Sequence, residues 1–244
     1  MTVGKLAGLA LTFACLSLLC TGAHAQTGDR AKAAAEIESL REQIKSREAT
    51  LLSVPDEDRK AHAEFLAQPD TGLVRLLPRE KWDSKLSMRG GGSYYSFTLR
   101  SNEYGRSTDI GLEQGRFMVG FAGADFGFIT DLGDVPLENV SAETEAVQFM
   151  AAFEVPSAEG EARKAGRQFY PARREGTWDY VRMLPAAAGR TYALRSIVYD
   201  DTDVLVAFRV VRKDTDDSVV LLWKMLKKYP KPTLQRAEAA TTKQ

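Results

Sequence analysis

The segment Arg89-Gly90-Gly91-Gly92-Ser93-Tyr94 comes nearest to a ligand-binding motif in this chain. Three consecutive glycines can form a nest of backbone N–H groups, which, beside the guanidinium of Arg89, would hold a carboxylate or a phosphate. It is not a nucleotide-binding P-loop, because Gly-Lys-Ser/Thr is missing and a strand pattern follows. We therefore predict as ligand-binding residues Arg89, Gly90, Gly91, Gly92, Ser93 and Tyr94. The alternative is a glycine turn that passes close to a neighbouring segment.

Tyrosines and arginines accompany this loop. The residues concerned are Tyr94, Tyr95, Tyr104, Arg100, Arg106 and Arg116. Alternation along the predicted strand 94–100 directs Tyr94 away from Tyr95, Phe97 and Leu99, and predicts that Tyr94 is the exposed ring. Exposed tyrosine with arginine is typical of protein interfaces and is also compatible with stacking on a sugar ring. The alternative interpretation is that these residues only decorate ordinary amphipathic strands.

Carboxylates of the glycine-rich stretch are the candidates for catalysis. Asp109, Glu113, Asp125 and Asp131 would serve glycan hydrolysis if two of them met in a pocket about 5–10 Å apart. The chain lacks the G-x-S-x-G motif of serine hydrolases. Aspartates at 200, 201 and 203 and at 214, 216 and 217 do not match a calcium-binding loop and are typical of turns.

The first 25 residues have the pattern of a cleaved leader. Lys5 precedes an apolar run, Leu6 to Leu19, and Ala23-His24-Ala25 fits the small-x-small cleavage site. The run is short for a membrane span, so we predict a mature chain that begins at Gln26 and has no transmembrane segment. Lipid attachment at Cys20 and a retained anchor are the alternatives.

Removal of the leader leaves little metal-binding or thiol chemistry. Both cysteines and His24 lie before the predicted cleavage site, so His62 is the sole histidine that remains. A disulfide, a cysteine nucleophile and a Cys/His zinc site are thereby excluded from the mature chain, and we predict neither metal nor cofactor. Export without disulfides favours a bacterial periplasmic or secreted protein.

The charge balance argues against nucleic acid as a partner. The 33 lysines and arginines equal the 33 aspartates and glutamates. Proteins that coat nucleic acid owe their affinity to neutralised phosphates and carry a basic excess. An envelope protein or a glycan is the expected partner.

Residues 26–70 have a helical pattern, with helices at 29–53 and from about Asp56 to Gln68. Apolar residues of the first helix lie on a heptad seam, at Ala33, Ile37, Leu40, Ile44, Leu51 and Val54, with Arg47 interrupting it. A spacer or a helix docked on a sheet is one interpretation, and weak self-association through a coiled coil is the other. His62 lies beside the thin apolar face of the second helix, a position that favours a boundary residue over a catalyst.

From residue 71 the hydrophobic period becomes two. We predict a single β-rich domain at 71–230, followed by a frayed polar tail at 231–244. Strands are expected near 73–77, 94–100, 108–113, 116–121, 126–130, 147–155, 178–183, 191–199, 203–212 and 218–226, with a short helix after Ser157. The fold class is mainly β, an antiparallel sandwich or partly open barrel of about nine or ten strands preceded by one or two helices.

The last three strands permit a prediction of register. A turn centred on Asp201-Thr202 would place Arg195 opposite Phe208, and a turn centred on Thr215-Asp216 would place Phe208 opposite Trp223. One face then collects Val204, Val206, Phe208, Val210, Leu221, Trp223 and Met225. The other face is also apolar, so a further layer must cover it, and the N-terminal helices are the expected cover.

Together these patterns favour an exported binding or scaffolding protein of the cell envelope that has no catalytic activity. A carboxylate-dependent glycan hydrolase is one alternative. An oligomeric assembly protein that uses the 29–54 helix is the other.

Overall fold

The structure, a computed structural model, describes residues 20–235 and the side chains of residues 28–235. The described residues divide into two compact units, with the boundary between Arg47 and Glu48. The helices are α1 Cys20–Leu51, α2 Asp56–Ala61, α3 Ala63–Leu66, α4 Arg79–Trp82, α5 Glu145–Ala152 and α6 Glu159–Arg167. The strands are β1 Thr71–Leu76, β2 Tyr94–Tyr95, β3 Ile110–Glu113, β4 Arg116–Met118, β5 Phe126–Gly133, β6 Arg173–Glu175, β7 Trp178–Tyr180, β8 Met183–Pro185, β9 Thr191–Val198, β10 Thr202–Lys213 and β11 Val219–Lys228.

Antiparallel sheets dominate the second unit. A five-stranded sheet has the order β1-β11-β10-β9-β5, a four-stranded sheet the order β2-β3-β4-β8, and β6 pairs with β7. Within the described residues these sheets remain open at their edges and no barrel closes, so the predicted class, mainly β with sandwich-like packing after N-terminal helices, is confirmed. The predicted leader, 1–25, lies largely outside the described residues, as does most of the tail 231–244.

The two larger sheets enclose one hydrophobic core. The five-stranded sheet contributes Val206, Phe208 and Trp223, and the four-stranded sheet contributes Ile110 and Phe117. The predicted face of β10 and β11 is therefore confirmed, and so is its register, because Phe208 pairs with Trp223. A bulge after Val210 shifts the pairing by one residue near the turn.

Helices cover the other face of the five-stranded sheet. Side chains of α5 and α6 pack there on Leu205, Ala207 and Leu222, together with Phe65 of α3. Of the predicted N-terminal helical segment, α3 contributes Phe65 to this cover, and α5 and α6, which were not expected there, supply the rest. The strand predicted at 147–155 was wrong. That segment is helix α5, in which Ala146, Val147 and Met150 are buried at a helical spacing.

The register predicted for the first hairpin was also wrong. Val198 pairs with Thr202, so Arg195 lies opposite Leu205 and not opposite Phe208. The cause is Asp200, which adopts a left-handed conformation with φ of 58° and allows a three-residue turn ahead of the predicted one. Arg195 consequently lies on the helix-covered face of the sheet.

That position lets Arg195 join strands and helix. Its Nε and Nη2 bind the two carboxylate oxygens of Asp203 at 2.9 and 2.8 Å, and both side chains are buried. Its Nη1 donates to the carbonyls of Met150 and Phe153 at 2.7 Å each, at the end of α5. The guanidinium thus satisfies carbonyl groups that a helix end leaves without intrahelical partners.

Helix α1 exposes the apolar residues of its heptad seam. Ile37, Leu40 and Ile44 retain 49%, 51% and 47% of their accessible surface. No helix among the described residues has the length and apolar character needed to cross a membrane.

Candidate functional site

The glycine loop packs tightly against α4. Gly90, Gly91 and Gly92 have φ of 80°, 57° and 72°, values that favour glycine. A Cβ on Gly91 would lie 2.4 Å from the backbone nitrogen of Asp83 at the end of α4. The N–H groups of Gly91 and Ser93 each donate to a carbonyl of the same loop at 3.0 Å. Two of the N–H groups that a nest would offer are therefore already used.

Tyr94 is buried, which corrects the prediction that its ring is exposed. It retains 7% of its accessible surface, because its ring packs against Tyr104 and Phe121 with centroid distances of 4.7 and 5.4 Å. Burial raises the pKa of its hydroxyl. The regular strand ends at Tyr95, not at residue 100, and Leu99, which alternation directs inward, is 65% exposed.

Three cavities lie side by side around the loop 120–125. The largest has a volume of about 470 Å³, and Arg89, Tyr104 and Phe121 line both it and a second cavity of about 410 Å³. A third, of about 290 Å³, shares residues 123–125 with the first and Arg182 with the second. We call these three cavities together the arginine groove, after the six arginines that line it: Arg79, Arg89, Arg106, Arg163, Arg167 and Arg182.

Some of the predicted binding residues lie in this groove. Arg89 lines the two larger cavities, and Gly90 and Tyr94 line the 410 Å³ cavity. Gly91, Gly92 and Ser93 do not line either one. Only Arg89, Gly90 and Tyr94 of the predicted segment therefore line the groove, and Gly91 lies against the end of α4.

Two arginines are held in place by backbone carbonyls. Nη2 of Arg106 donates to the carbonyl of Tyr199 at 2.7 Å, and Nη2 of Arg182 donates to the carbonyl of Gly120 at 2.5 Å. Beside Arg106, the hydroxyl of Ser107 donates to Asp201 at 2.6 Å. The bonds of Arg106 and Ser107 tie that wall of the groove to the turn between β9 and β10, and the bond of Arg182 ties its segment to the loop 120–125.

The other arginines of the groove differ in their pairing. Arg79 forms ion pairs of 3.3 Å with both Asp83 and Glu113, and Arg163 pairs with Glu159 at 2.7 Å. Arg89 lies 3.8 Å from Glu103, with both side chains well exposed. Exposed pairs of this kind contribute little, so Arg89 remains available to a ligand.

The four predicted carboxylates do not converge. Asp125 lines the 470 Å³ cavity, where burial raises its pKa while the N–H of Tyr199, donating at 2.9 Å, favours the charged form. Glu113 lies in the 410 Å³ cavity, bound to Arg79. Asp131 is bound to Arg190 at 2.7 Å and does not line the groove.

Asp109 is fully buried next to the largest cavity, whose wall includes Thr108 and Ser196. Its Oδ2 accepts the N–H of Phe97 at 2.8 Å. Burial raises its pKa to about 7, although the Ser196 hydroxyl and the Phe97 N–H limit the rise. Asp109 itself does not line the cavity.

Several residues of the groove escaped the sequence analysis. Arg163, Arg167 and Tyr170 come from α6 and the residues after it, and Arg182 and Tyr199 come from the ends of strands. For these residues the sequence offers only the charged helical pattern after Ser157. That pattern predicts an exposed helix but does not indicate a binding site. His62, between α2 and α3, does not line any of the three cavities.

Among residues 28–235, no group of three or more histidine, cysteine, aspartate or glutamate side chains is arranged to hold a metal ion. No protein family, curated protein or solved structure was found to match the chain.

Proposed function

We propose that this chain is an exported protein of the bacterial cell envelope that binds a ligand in the arginine groove without transforming it. The observation that carries the proposal is the continuity of the three cavities, in which Arg89, Tyr104 and Phe121 each serve two of them. Volumes of about 470 and 410 Å³ fall in the range of small-molecule sites. Arginine and tyrosine are, with tryptophan, enriched among the residues that carry most of the binding energy in interfaces.

Ligand capture from native envelope extracts tests the binding site. The substitutions Arg89→Ala and Tyr104→Ala remove side chains from the junction of the two larger cavities, and Tyr104 is chosen over Tyr94 because Tyr94 is the more buried ring. Arg116→Ala is the matched control, because Arg116 is exposed and lies outside the groove. The wild type and the control should retain the same ligand and the double variant should lose it. Identical captured material from all three would refute the site.

Export is tested separately. N-terminal sequencing of the protein recovered from the periplasm should give Gln26 as the first residue. Recovery from the cytoplasm with Met1 intact would contradict export.

A glycan hydrolase is the second candidate. One observation favours it, since Asp125 and Asp200 both line the 470 Å³ cavity and burial raises the pKa of Asp125. Against it, Asp125 accepts the N–H of Tyr199 and so supports the turn, and Asp109 is enclosed. Turnover of a captured glycan that is lost in Asp125→Asn, while binding is retained, would establish the hydrolase in place of the binding protein.

Self-association through α1 is a third proposal, and the exposure of its seam favours it. Ile37, Leu40 and Ile44 are spaced as a and d positions of a heptad. Glu36 and Arg41 then occupy g and e positions, where opposite charges attract across a parallel pair of helices.

Sedimentation of single-site variants tests this assembly. Leu40→Glu places a charge in the seam, and Ser39→Glu places the same charge one residue away on another face of the helix. The wild type and Ser39→Glu should show the same concentration-dependent association, and Leu40→Glu should be monomeric. A wild type that is monomeric throughout excludes assembly through this helix.

A further inference from the structure

The basic side chains of the arginine groove are of one kind. Its three cavities are lined by six arginines and, among the described residues, by no lysine. A guanidinium binds a planar oxyanion with two parallel hydrogen bonds, whereas an ammonium acts as a point charge. The composition therefore suits a ligand with carboxylate, sulfate or phosphate groups.

Three arginines in neighbouring cavities form no ion pair with the described part of the chain, although Arg106 lies near enough to Asp125 for its charge to lower the pKa of that carboxyl group, against the rise caused by burial. Among the described residues Arg106, Arg167 and Arg182 form no ion pair, although Arg79 and Arg163 do. Arg106 lines the 470 Å³ cavity, Arg167 the 290 Å³ cavity, and Arg182 both the 290 and the 410 Å³ cavities. The backbone bonds of Arg106 and Arg182 fix one nitrogen of each and leave other N–H donors for a ligand.

Aromatic rings lie between these charges. Tyr104 and Phe121 are partly exposed and line both larger cavities, with their centroids 6.2 Å apart. Each ring presents an apolar face on which the C–H face of a sugar ring can pack. Addition of a peptide strand to β9, which forms a wall of the largest cavity, is blocked because β9 is paired on both sides.

We propose that the ligand of the groove is an acidic oligosaccharide with at least two anionic groups, one bound by Arg106 and another by Arg182 and Arg167. This inference rests on the proposed binding function and names the class of its ligand. Sugar rings between the charges pack on Tyr104 and Phe121, so that one chain occupies more than one cavity.

Titration calorimetry of the full-length protein with defined probes tests the ligand class. Galacturonate oligomers, from monomer to hexamer, supply one carboxylate per ring, and their methyl esters have the same length without charge. The hexamer should bind at least about tenfold more tightly than both its methyl ester and the monomer, because charged hydrogen bonds add at each occupied arginine. Added salt should weaken the hexamer more than the ester.

Substitutions locate the charges. Arg106→Gln and Arg182→Gln should each weaken hexamer binding by about tenfold or more. The control Arg116→Gln changes another exposed arginine that forms no ion pair among the described residues, and should change binding by less than about twofold. The monomer should be affected by only one of the two substitutions, because a single carboxylate reaches a single guanidinium.

Three results would overturn the inference. In the first, the methyl esters bind as tightly as the acids, and Arg89→Ala with Tyr104→Ala still abolishes binding. This result would refute an acidic ligand but would leave the proposed binding function intact. Tighter binding of poly-glutamate or of phosphatidylglycerol vesicles, lost in the arginine variants, would assign the groove to an acidic peptide or to a membrane surface. Binding of no oligosaccharide at millimolar concentration would also refute it, and the capture experiment would then decide the function alone.

Discussion

The buried carboxyl group of Asp109 predicts an unusual dependence of stability on pH. Burial raises its pKa from an ordinary value of 3.8 to about 7, and the charge of Asp201 adds to the effect. Between these values the folded state holds a proton that the unfolded state has released, so the free energy of unfolding falls as pH rises. A difference of about three pKa units corresponds to about 4 kcal/mol in the free energy of unfolding. This contribution is complete below the pKa of the unfolded state and is lost once the pH exceeds the pKa of the folded state.

The substitution Asp109→Asn removes this titration and keeps an oxygen that can accept the N–H of Phe97. Relative to the wild type, the free energy of unfolding of the variant should increase by about 4 kcal/mol between pH 4 and pH 8, with most of the change below pH 7. Urea unfolding at a series of pH values measures it, and the buried Trp223 gives the fluorescence signal.

A matched substitution at an exposed carboxylate is the control. A hydrogen bond from Arg174 lowers the pKa of Asp179, so Asp179→Asn should leave the stability difference flat from pH 5 to pH 8. If the free energies of unfolding of Asp109→Asn and the wild type differ by an amount that varies less than about 1 kcal/mol from pH 4 to pH 8, Asp109 does not have a raised pKa in the folded protein.

Four further substitutions test the packing of the second unit, each by urea unfolding at neutral pH. Arg195→Ala should lower the free energy of unfolding by about 3–5 kcal/mol, because it leaves a buried carboxylate without its partner; a loss below 1 kcal/mol would contradict this role. Gly72→Ala should lower the free energy of unfolding by about 1–3 kcal/mol, because its Cβ would lie 2.6 Å from the ring of Trp223. Gly160→Ala is the control, and since nothing lies within 4 Å of its Cβ, it should raise the free energy of unfolding by about 0.5–1 kcal/mol. Tyr229→Phe should cost about 1 kcal/mol, because the hydroxyl donates to the carbonyl of Ala151 at 2.9 Å, and an unchanged stability would show that water replaces this bond.

Local patterns predicted most of the sheet. Strands near 73–77, 108–113, 116–121, 126–130, 191–199, 203–212 and 218–226 are confirmed, and the expected strand at 178–183 occurs as two short strands, β7 and β8. The pairing of Phe208 with Trp223 followed from the alternation of apolar residues, because a slip of one residue would turn every side chain to the other face. The helix after Ser157 was found as well.

The predictions that proved wrong concern segments whose local pattern is compatible with two structures. Residues 145–152 are apolar enough for a strand, and the buried sheet face that they cover selects the helix. Three acidic residues could form the turn before β10, and the left-handed conformation of Asp200 selects one register. Tyr94 is buried because Tyr104 and Phe121, distant along the chain, pack on its ring.

The sequence by itself determined the fold class and the apolar face of the last two strands, and it pointed to Arg89 at one end of the glycine loop. Hydrophobic periodicity records which side of each element is buried, and that information is local. Only the tertiary structure decided the rest of the candidate site. Arg106, Arg167 and Arg182 come from separate loops and a helix, and they share one groove because the packing of two sheets and α6 brings those segments together.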